Sequence, residues 1–171
     1  ASYPHELSGG MKQRIIIAMA LASNAELIIA DEPTTALDVT IQKQIMDLIL
    51  DIKNELNTTV ILISHDLALV SNYTDFITVM YSGHVVEQAE ANEFFKNPKH
   101  PYSIALLNSL PNTNPSLKLK TIMGAPPSIQ EKISGCKFHP RCDFYEPGLC
   151  DLKNPILKEK ASEHFSACLR F

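Results

Sequence analysis

Three short stretches of the chain hold residue types that could do chemistry together. Leu7-Ser8-Gly9-Gly10-Met11-Lys12-Gln13 offers a hydroxyl and two glycines. Glycines let a backbone approach an anion closely, and a helix starting there would aim its first amides and positive dipole end at it. Asp31-Glu32 closes the apolar run Leu27-Ile28-Ile29-Ala30, and Ser64-His65-Asp66 closes the run Thr59–Ile63. Ligands of open α/β sheets bind beyond the carboxyl ends of the strands, where Asp31, Glu32 and His65 would lie. Singly, each has a plainer reading: a Gly-rich turn with a capped helix, a solvated acidic edge, a structural histidine.

A fourth stretch is set apart. Cys136, Cys142, Cys150 and Cys168, separated by five, seven and seventeen residues, all fall in the last quarter of the chain. In a reducing compartment such a group suggests metal or cluster ligation more than disulfides. The spacing is not the C-x2-C pairing of zinc ribbons. Four thiolates gathered by loops suit a 4Fe–4S cluster, whose ligand spacings vary more. Zinc and metal-free thiols or disulfides are the alternatives, since soft thiolates permit all three.

The elements that must position these residues follow from patterning. Met11–Ser23 is apolar on nearly every side, which predicts a largely buried helix, with Ser8 at its N-cap. Leu27–Ala30 reads as a buried central strand of a parallel sheet, on which Glu32 would point opposite to Asp31. Asp38 is placed to cap a second helix, in which Ile41, Ile45, Leu48, Ile49, Ile52 and Leu56 recur at helical spacing. Thr59–Ile63 is a second buried strand, followed by a short helix around Leu67–Tyr73. Phe76–Met80 and His84–Val86 flank Tyr81-Ser82-Gly83 as a hairpin. A helical pattern returns at Ile104–Leu110, after Pro98-Lys99-His100-Pro101-Tyr102-Ser103. Strand–helix–strand order with polar strand ends is an α/β signature. A cysteine-free body to about Leu110 thus precedes a Pro-rich, cysteine-bearing tail.

Composition narrows the function classes. The 171 residues are 45% hydrophobic and 20% charged, with net charge -4. These are ordinary globular values, and no basic stripe invites a nucleic acid. The apolar runs are far shorter than the roughly 20 residues of a membrane span, and no secretory signal opens the chain. The expectation is a cytosolic chain that meets a membrane only through a partner.

In order, Leu7–Gln13, Leu27–Glu32, Thr35-Ala36-Leu37-Asp38 and His65 resemble the signature motif, Walker B strand, D-loop and switch histidine of ABC transporter nucleotide-binding domains. The resemblance implies ATP and Mg²⁺. It implies that Asp31 holds the ion through its water shell and that Glu32 orients or deprotonates the attacking water. His65 would bond the terminal phosphate, and Ser8, Gly9, Gly10, Gln13 and Asp38 would contribute to nucleotide binding, Asp38 also serving as a helix cap. In this family two domains sandwich two nucleotides, each signature facing the one held by its partner. The phosphate cradle G-x-x-x-x-G-K-S/T does not occur in these residues. The fold expected is therefore an α/β P-loop NTPase sheet truncated at its N-terminal side, with no ATP turnover by the fragment alone.

The tail resembles that of the oligopeptide and dipeptide importers, and Asp31–Thr40 resembles their D-type subunit. Relatives of that group carry a 4Fe–4S cluster, which the resemblance implies at Cys136, Cys142, Cys150 and Cys168. It also implies a second ATP-binding subunit, membrane-spanning permease subunits and a periplasmic or lipid-anchored peptide-binding protein as partners. The implied location is peripheral, at the cytoplasmic face of the membrane. The organisation expected is 1–25 as the end of a helical subdomain, 26–97 as the ATPase core remnant and 98–171 as the extension. Two other readings compete: a non-catalytic, metal- or cluster-bearing regulatory fragment, and an ABC ATPase of DNA repair or translation.

Overall fold

The structure, a computed structural model, describes residues 3–23, 25–110, 121–128 and 130–170. The chain divides into two compact units, residues 1–73 and 74–171. The division falls inside the segment 26–97.

In the first unit, α1 (Gly9–Leu21) begins at Ser8, whose Oγ accepts a hydrogen bond from the Met11 amide at 3.3 Å. Strand β1 (Leu27–Asp31) pairs in parallel with β2 (Thr59–Ile63), Leu27 beside Thr59 and Asp31 beside Ile63. Between them runs α2 (Val39–Leu56), started by Asp38, whose carboxylate accepts from the Ile41 amide at 3.0 Å. It ends at Asn57, in the left-handed conformation common at helix ends (φ 49°). Asp66 caps the short α3 (Leu67–Tyr73) by accepting from the amides of Ala68 and Leu69. The core is Ile45, Met46, Ile49 and Leu69, with Ile17, Leu37, Ile41, Val60, Leu62 and Tyr73 packed against it.

Burial departs from what the apolar patterns predict. No residue of α1 is buried, and Met11, Ile15, Ile16 and Met19 are exposed. Only the stripe carrying Ile17 packs on the α2 core. The strands likewise turn Val60 and Leu62 toward that core and leave Leu27, Ile29, Ile61 and Ile63 exposed. An all-apolar segment needs neighbours on every side, and this unit supplies them on one.

The second unit is a four-stranded antiparallel sheet in the order β3-β4-β6-β5. Its strands are β3 (Phe76–Tyr81), β4 (His84–Glu90), β5 (Lys158–Ala161) and β6 (His164–Ser166). The β3–β4 turn has Ser82 and Gly83 both at positive φ, the two-residue geometry whose twist matches a hairpin. Helices α4 (Ala91–Lys96) and α5 (Pro101–Asn108) follow β4. Strand β5, Lys-Glu-Lys-Ala, is exposed throughout and forms a charged edge, so it carries no apolar alternation to announce it. Phe138 packs edge-on to Tyr81 (5.2 Å between ring centres) and tilted against Tyr102 (5.3 Å). Beside this aromatic core Glu87 is fully buried. Its carboxylate accepts from the amides of Lys99 (2.6 Å) and His100 (2.8 Å) and pairs with His164 Nε2 (2.7 Å), joining β4, the segment before α5 and β6.

Candidate functional site

The parallel pairing of β1 and β2 sets their carboxyl ends side by side, and the Glu32 amide donates to the Ile63 carbonyl at 2.9 Å. Asp31 is the exposed last residue of β1. Glu32 has left the strand. Its φ of 48° lies in the left-handed region that non-glycine residues enter only when surroundings hold them there. Its side chain is thus aimed by this backbone turn rather than by the strand alternation that the sequence predicts. One carboxylate oxygen lies 2.8 Å from His65 Nδ1, and the other accepts from the Thr35 hydroxyl at 2.7 Å.

These contacts favour the charged form of both groups. The Thr35 hydroxyl first, and the His65 ring second, hold the Glu32 carboxyl below its ordinary value, and Glu32 raises the His65 pKa. With Nδ1 turned to Glu32, the Nε2 edge of a ring whose side chain is 81% exposed is left for a ligand. A carboxylate held by a hydroxyl and an imidazole can order a water, and an exposed N–H beside it can meet an anion.

The other predicted residues fall around this pair. A Cβ on Gly10 would lie 2.8 Å from Ile41 Cγ2, and one on Gly9 would lie 3.2 Å from Leu37 Cδ2. The glycines therefore let α1 lie against the loop Thr35–Asp38 and the start of α2, a packing reason beside the anion reason. Gln13 is half-buried within the first turns of α1. Among the described residues Ser8, Gly9, Gly10 and Gln13 make no hydrogen bond with Glu32 or His65. Asp38 caps α2. Thr35 was identified from the sequence only as the head of the Thr35–Asp38 motif; its grip on Glu32 depends on a loop that folds back, and spacing does not show it.

In the second unit Cys136, Cys142, Cys150 and Cys168 line one small pocket of about 20 Å³, with His100, His139 and aromatic side chains in the same wall. All four thiols are free. The amide of Cys136 donates to the Cys150 carbonyl at 2.8 Å, and Gly135 makes that approach possible. Its φ is +61°, and a Cβ there would lie 2.4 Å from the Cys150 oxygen. Burial pushes the thiols of Cys136 and Cys142 up, Cys142 to about 11, with the neighbouring cysteines adding to both. Without a cation these two are protonated at neutral pH, and a metal would have to displace their protons. Among the described residues no three His, Cys, Asp or Glu side chains are placed to hold one metal ion.

His100 caps α5 by accepting the Tyr102 amide on Nδ1 at 3.0 Å, and burial lowers its pKa to about 4. The sequence suggested only the helix start.

Comparison with known proteins points to one family. Residues 1–35 match the family model described as ABC transporter, and residues 86–150 match that of the oligopeptide/dipeptide transporter C-terminal region. The "Probable peptide ABC transporter ATP-binding protein" of Sinorhizobium fredii is 50% identical over 171 residues, 99% of this chain and 51% of the relative. The oligopeptide transport ATP-binding protein OppD of Escherichia coli is 46% identical over 169 residues, 98% of this chain and 50% of the relative. Over 98–99% of its length the chain is similar to ATP-binding proteins of peptide ABC transporters. Among solved structures, CbiO1 of Clostridium perfringens, part of the ABC transporter complex CbiONQ, superposes with a TM-score of 0.51 at 35% identity. That match covers 59% of this chain and 39% of CbiO1. The fold is accordingly that of an ABC ATPase domain, and this chain spans about half the length of the curated relatives it matches. No helix among the described residues is long and apolar enough to cross a membrane.

Proposed function

We propose that these residues form the C-terminal half of the ATP-hydrolysing subunit of a peptide importer, acting peripherally at the cytoplasmic face of the cell membrane. The observation that carries this reading is the Glu32–His65 pair, 2.8 Å apart at the ends of two parallel strands. In it Glu32 orders and deprotonates the attacking water, and His65, in the imidazolium form that Glu32 favours, donates from Nε2 to the terminal phosphate. Asp31 is an exposed strand-end carboxylate, which fits Mg²⁺ held mainly by water and phosphate oxygens, an ion that needs only one or two carboxylates. Ser8, Gly9, Gly10 and Gln13 face the nucleotide of a second ATP-binding subunit, and Asp38 steadies the loop between the two motifs. Permease subunits and, through them, a periplasmic or lipid-anchored peptide-binding protein complete the assembly. Residues 1–25, 26–97 and 98–171 serve as helical-subdomain end, core and extension.

The test joins this chain to the N-terminal half of the Escherichia coli relative. The chimera should turn over ATP, and Glu32→Gln should slow it by at least about 100-fold, the scale of a lost general base. An unslowed Glu32→Gln chimera, or robust turnover by the 171-residue chain alone, overturns the reading.

For the cysteine cavity we propose a 4Fe–4S cluster held by Cys136, Cys142, Cys150 and Cys168. Support comes from the four thiols lining one pocket. When bound, the cluster would cross-link the loops and Cys168, a structural duty in a segment with few core residues. Anaerobically prepared chain should be brown with near-stoichiometric iron; zinc alone at the four thiols would exclude the cluster.

A further inference from the structure

We propose that a second cavity of the second unit, between the β4–β6 ladder and the loop 135–138, binds a small carboxylic acid with an apolar body, its carboxylate paired with the Lys137 ammonium. The site lies in the other unit from Glu32 and His65, and it does not depend on what the cysteines hold.

Size and floor come first. The cavity has a volume of about 300 Å³, against about 20 Å³ for the four-cysteine pocket beside it. That is the lower end of the range for small-molecule sites, about 300–1,000 Å³, and far more than one water needs. Val86, Phe138 and Ala167 line it, and all three are buried. The Ala167 amide donates to the Val86 carbonyl at 2.8 Å, one residue past the end of β6, so the two lie on adjoining backbones. An apolar ligand body removed from water against these side chains is favoured by their area alone.

The polar part of the wall has one sign. Lys137, His84 and Asn154 line the same cavity and supply N–H donors. Among the described residues no Asp or Glu lines it, and none forms an ion pair with Lys137. Asp151, the acid of the adjoining loop, is engaged elsewhere, accepting from the Gly148 amide at 2.7 Å. Lys137 Nζ donates to the Ile133 carbonyl, a neutral acceptor that steadies the ammonium without cancelling its charge. Two of its three N–H groups are left for a ligand. The wall is also held before any ligand arrives. The Ser134 hydroxyl donates to the Asp151 carbonyl at 2.7 Å and the Cys136 amide to the Cys150 carbonyl at 2.8 Å, so little ordering is left for binding to bring about. One cation, neutral donors and an apolar floor match a carboxylate on an aliphatic body. Inorganic phosphate would meet the charge and waste the floor.

The probe is 4-methylpentanoate, added under reducing conditions to the isotopically labelled 171-residue chain and followed by the NMR amide signals of Val86 and Ala167. Both signals should shift saturably. The acid should bind about tenfold more tightly than its neutral amide, the scale of one charge-assisted hydrogen bond, and should weaken as salt is raised. Lys137→Met should bring the acid down to the level of the amide, and Lys137→Arg should keep most of the preference. N-acetylleucine, run alongside, separates the sources: tighter binding than 4-methylpentanoate assigns the site to a peptide end, weaker binding to a free acid. Phosphate that competes as well as either refutes the apolar half of the proposal. Equal affinity for acid and amide, or no saturable shift at Val86 and Ala167, overturns it and leaves a solvated crevice. Should Lys137→Met fail to fold, the acid-to-amide ratio in the parent chain decides.

Discussion

The two units solve the burial problem differently. The second closes a sheet over an aromatic and aliphatic core of Phe94, Phe138, Tyr81, Val86 and Ala89, and satisfies its buried carboxylate, Glu87, with three donors. The first packs α2 and α3 on one side of two parallel strands and leaves Leu27, Ile29, Ile61 and Ile63 exposed on the other. Parallel strands normally have both faces covered, and an exposed apolar face of this kind marks an interaction surface. The Glu32–His65 pair belongs to the half-covered unit, and the thiols belong to the closed one. A strand end can display Glu32 and His65 with one layer of helix behind it, whereas the thiols sit where burial favours their neutral form.

Deleting the centre of the closed unit should have the largest effect. Phe138→Ala removes a ring that is 2% exposed and touches Tyr81, Tyr102 and His100, and should cost about 3–5 kcal/mol. Urea unfolding followed by the tyrosine near-UV signal would read it, and a loss under about 1 kcal/mol would show that this core is not the packed object described. Gly10→Ala tests the half-covered unit. Its new methyl would meet the stiff, β-branched Ile41 at 2.8 Å and should cost about 1–3 kcal/mol. Stability equal to the parent would mean that α1 is not seated against α2. Ile29→Thr, on the bare face at 62% exposure, should change the stability of the chain by no more than about 0.5 kcal/mol. A fall as large as that of Phe138→Ala would show that the face is covered in solution.

How much could be read beforehand follows the same division. Asp38, the periodic isoleucines of α2 and both parallel strands were legible because cap chemistry and apolar spacing are local properties. Ser82-Gly83 was legible for the same reason, since a tight hairpin needs residues that accept positive φ. The exposure of α1 was not: hydrophobicity reports what a segment seeks, and the neighbours present decide what it obtains. Strands β5 and β6 escaped because a short charged edge and a three-residue partner carry no period. At the site, residue types pointed to Glu32 and His65, but the left-handed turn at Glu32 and the Thr35 contact depend on how a loop returns, which no spacing encodes. Cys136 and Cys168 lie far apart in sequence; types and spacing suggested a shared ligand, and only the folded tail shows that they line one cavity.

The smallest effect expected is also the most specific to the site. Thr35 first, and His65 second, hold Glu32 below its ordinary value of 4.5, and Glu32 holds His65 above its ordinary 6.5. A lowered carboxyl stabilises the folded chain above its unfolded pKa and loses that contribution as pH falls through the lowered value. A raised imidazole stabilises below its unfolded pKa and loses that contribution as pH rises through the raised one. The pair is therefore complete between about pH 4.5 and 6.5 and fades on either side. Both groups are solvated, so stability should scarcely register it, and the readout is the NMR titration of the His65 ring. Glu32→Gln should return His65 toward 6.5, and Thr35→Val should raise the Glu32 titration more than Thr35→Ser does. Should His65 titrate at or below 6.5 in the parent chain, the two side chains do not meet in solution. The strand ends would then lose the contact that makes them a site rather than a solvated edge.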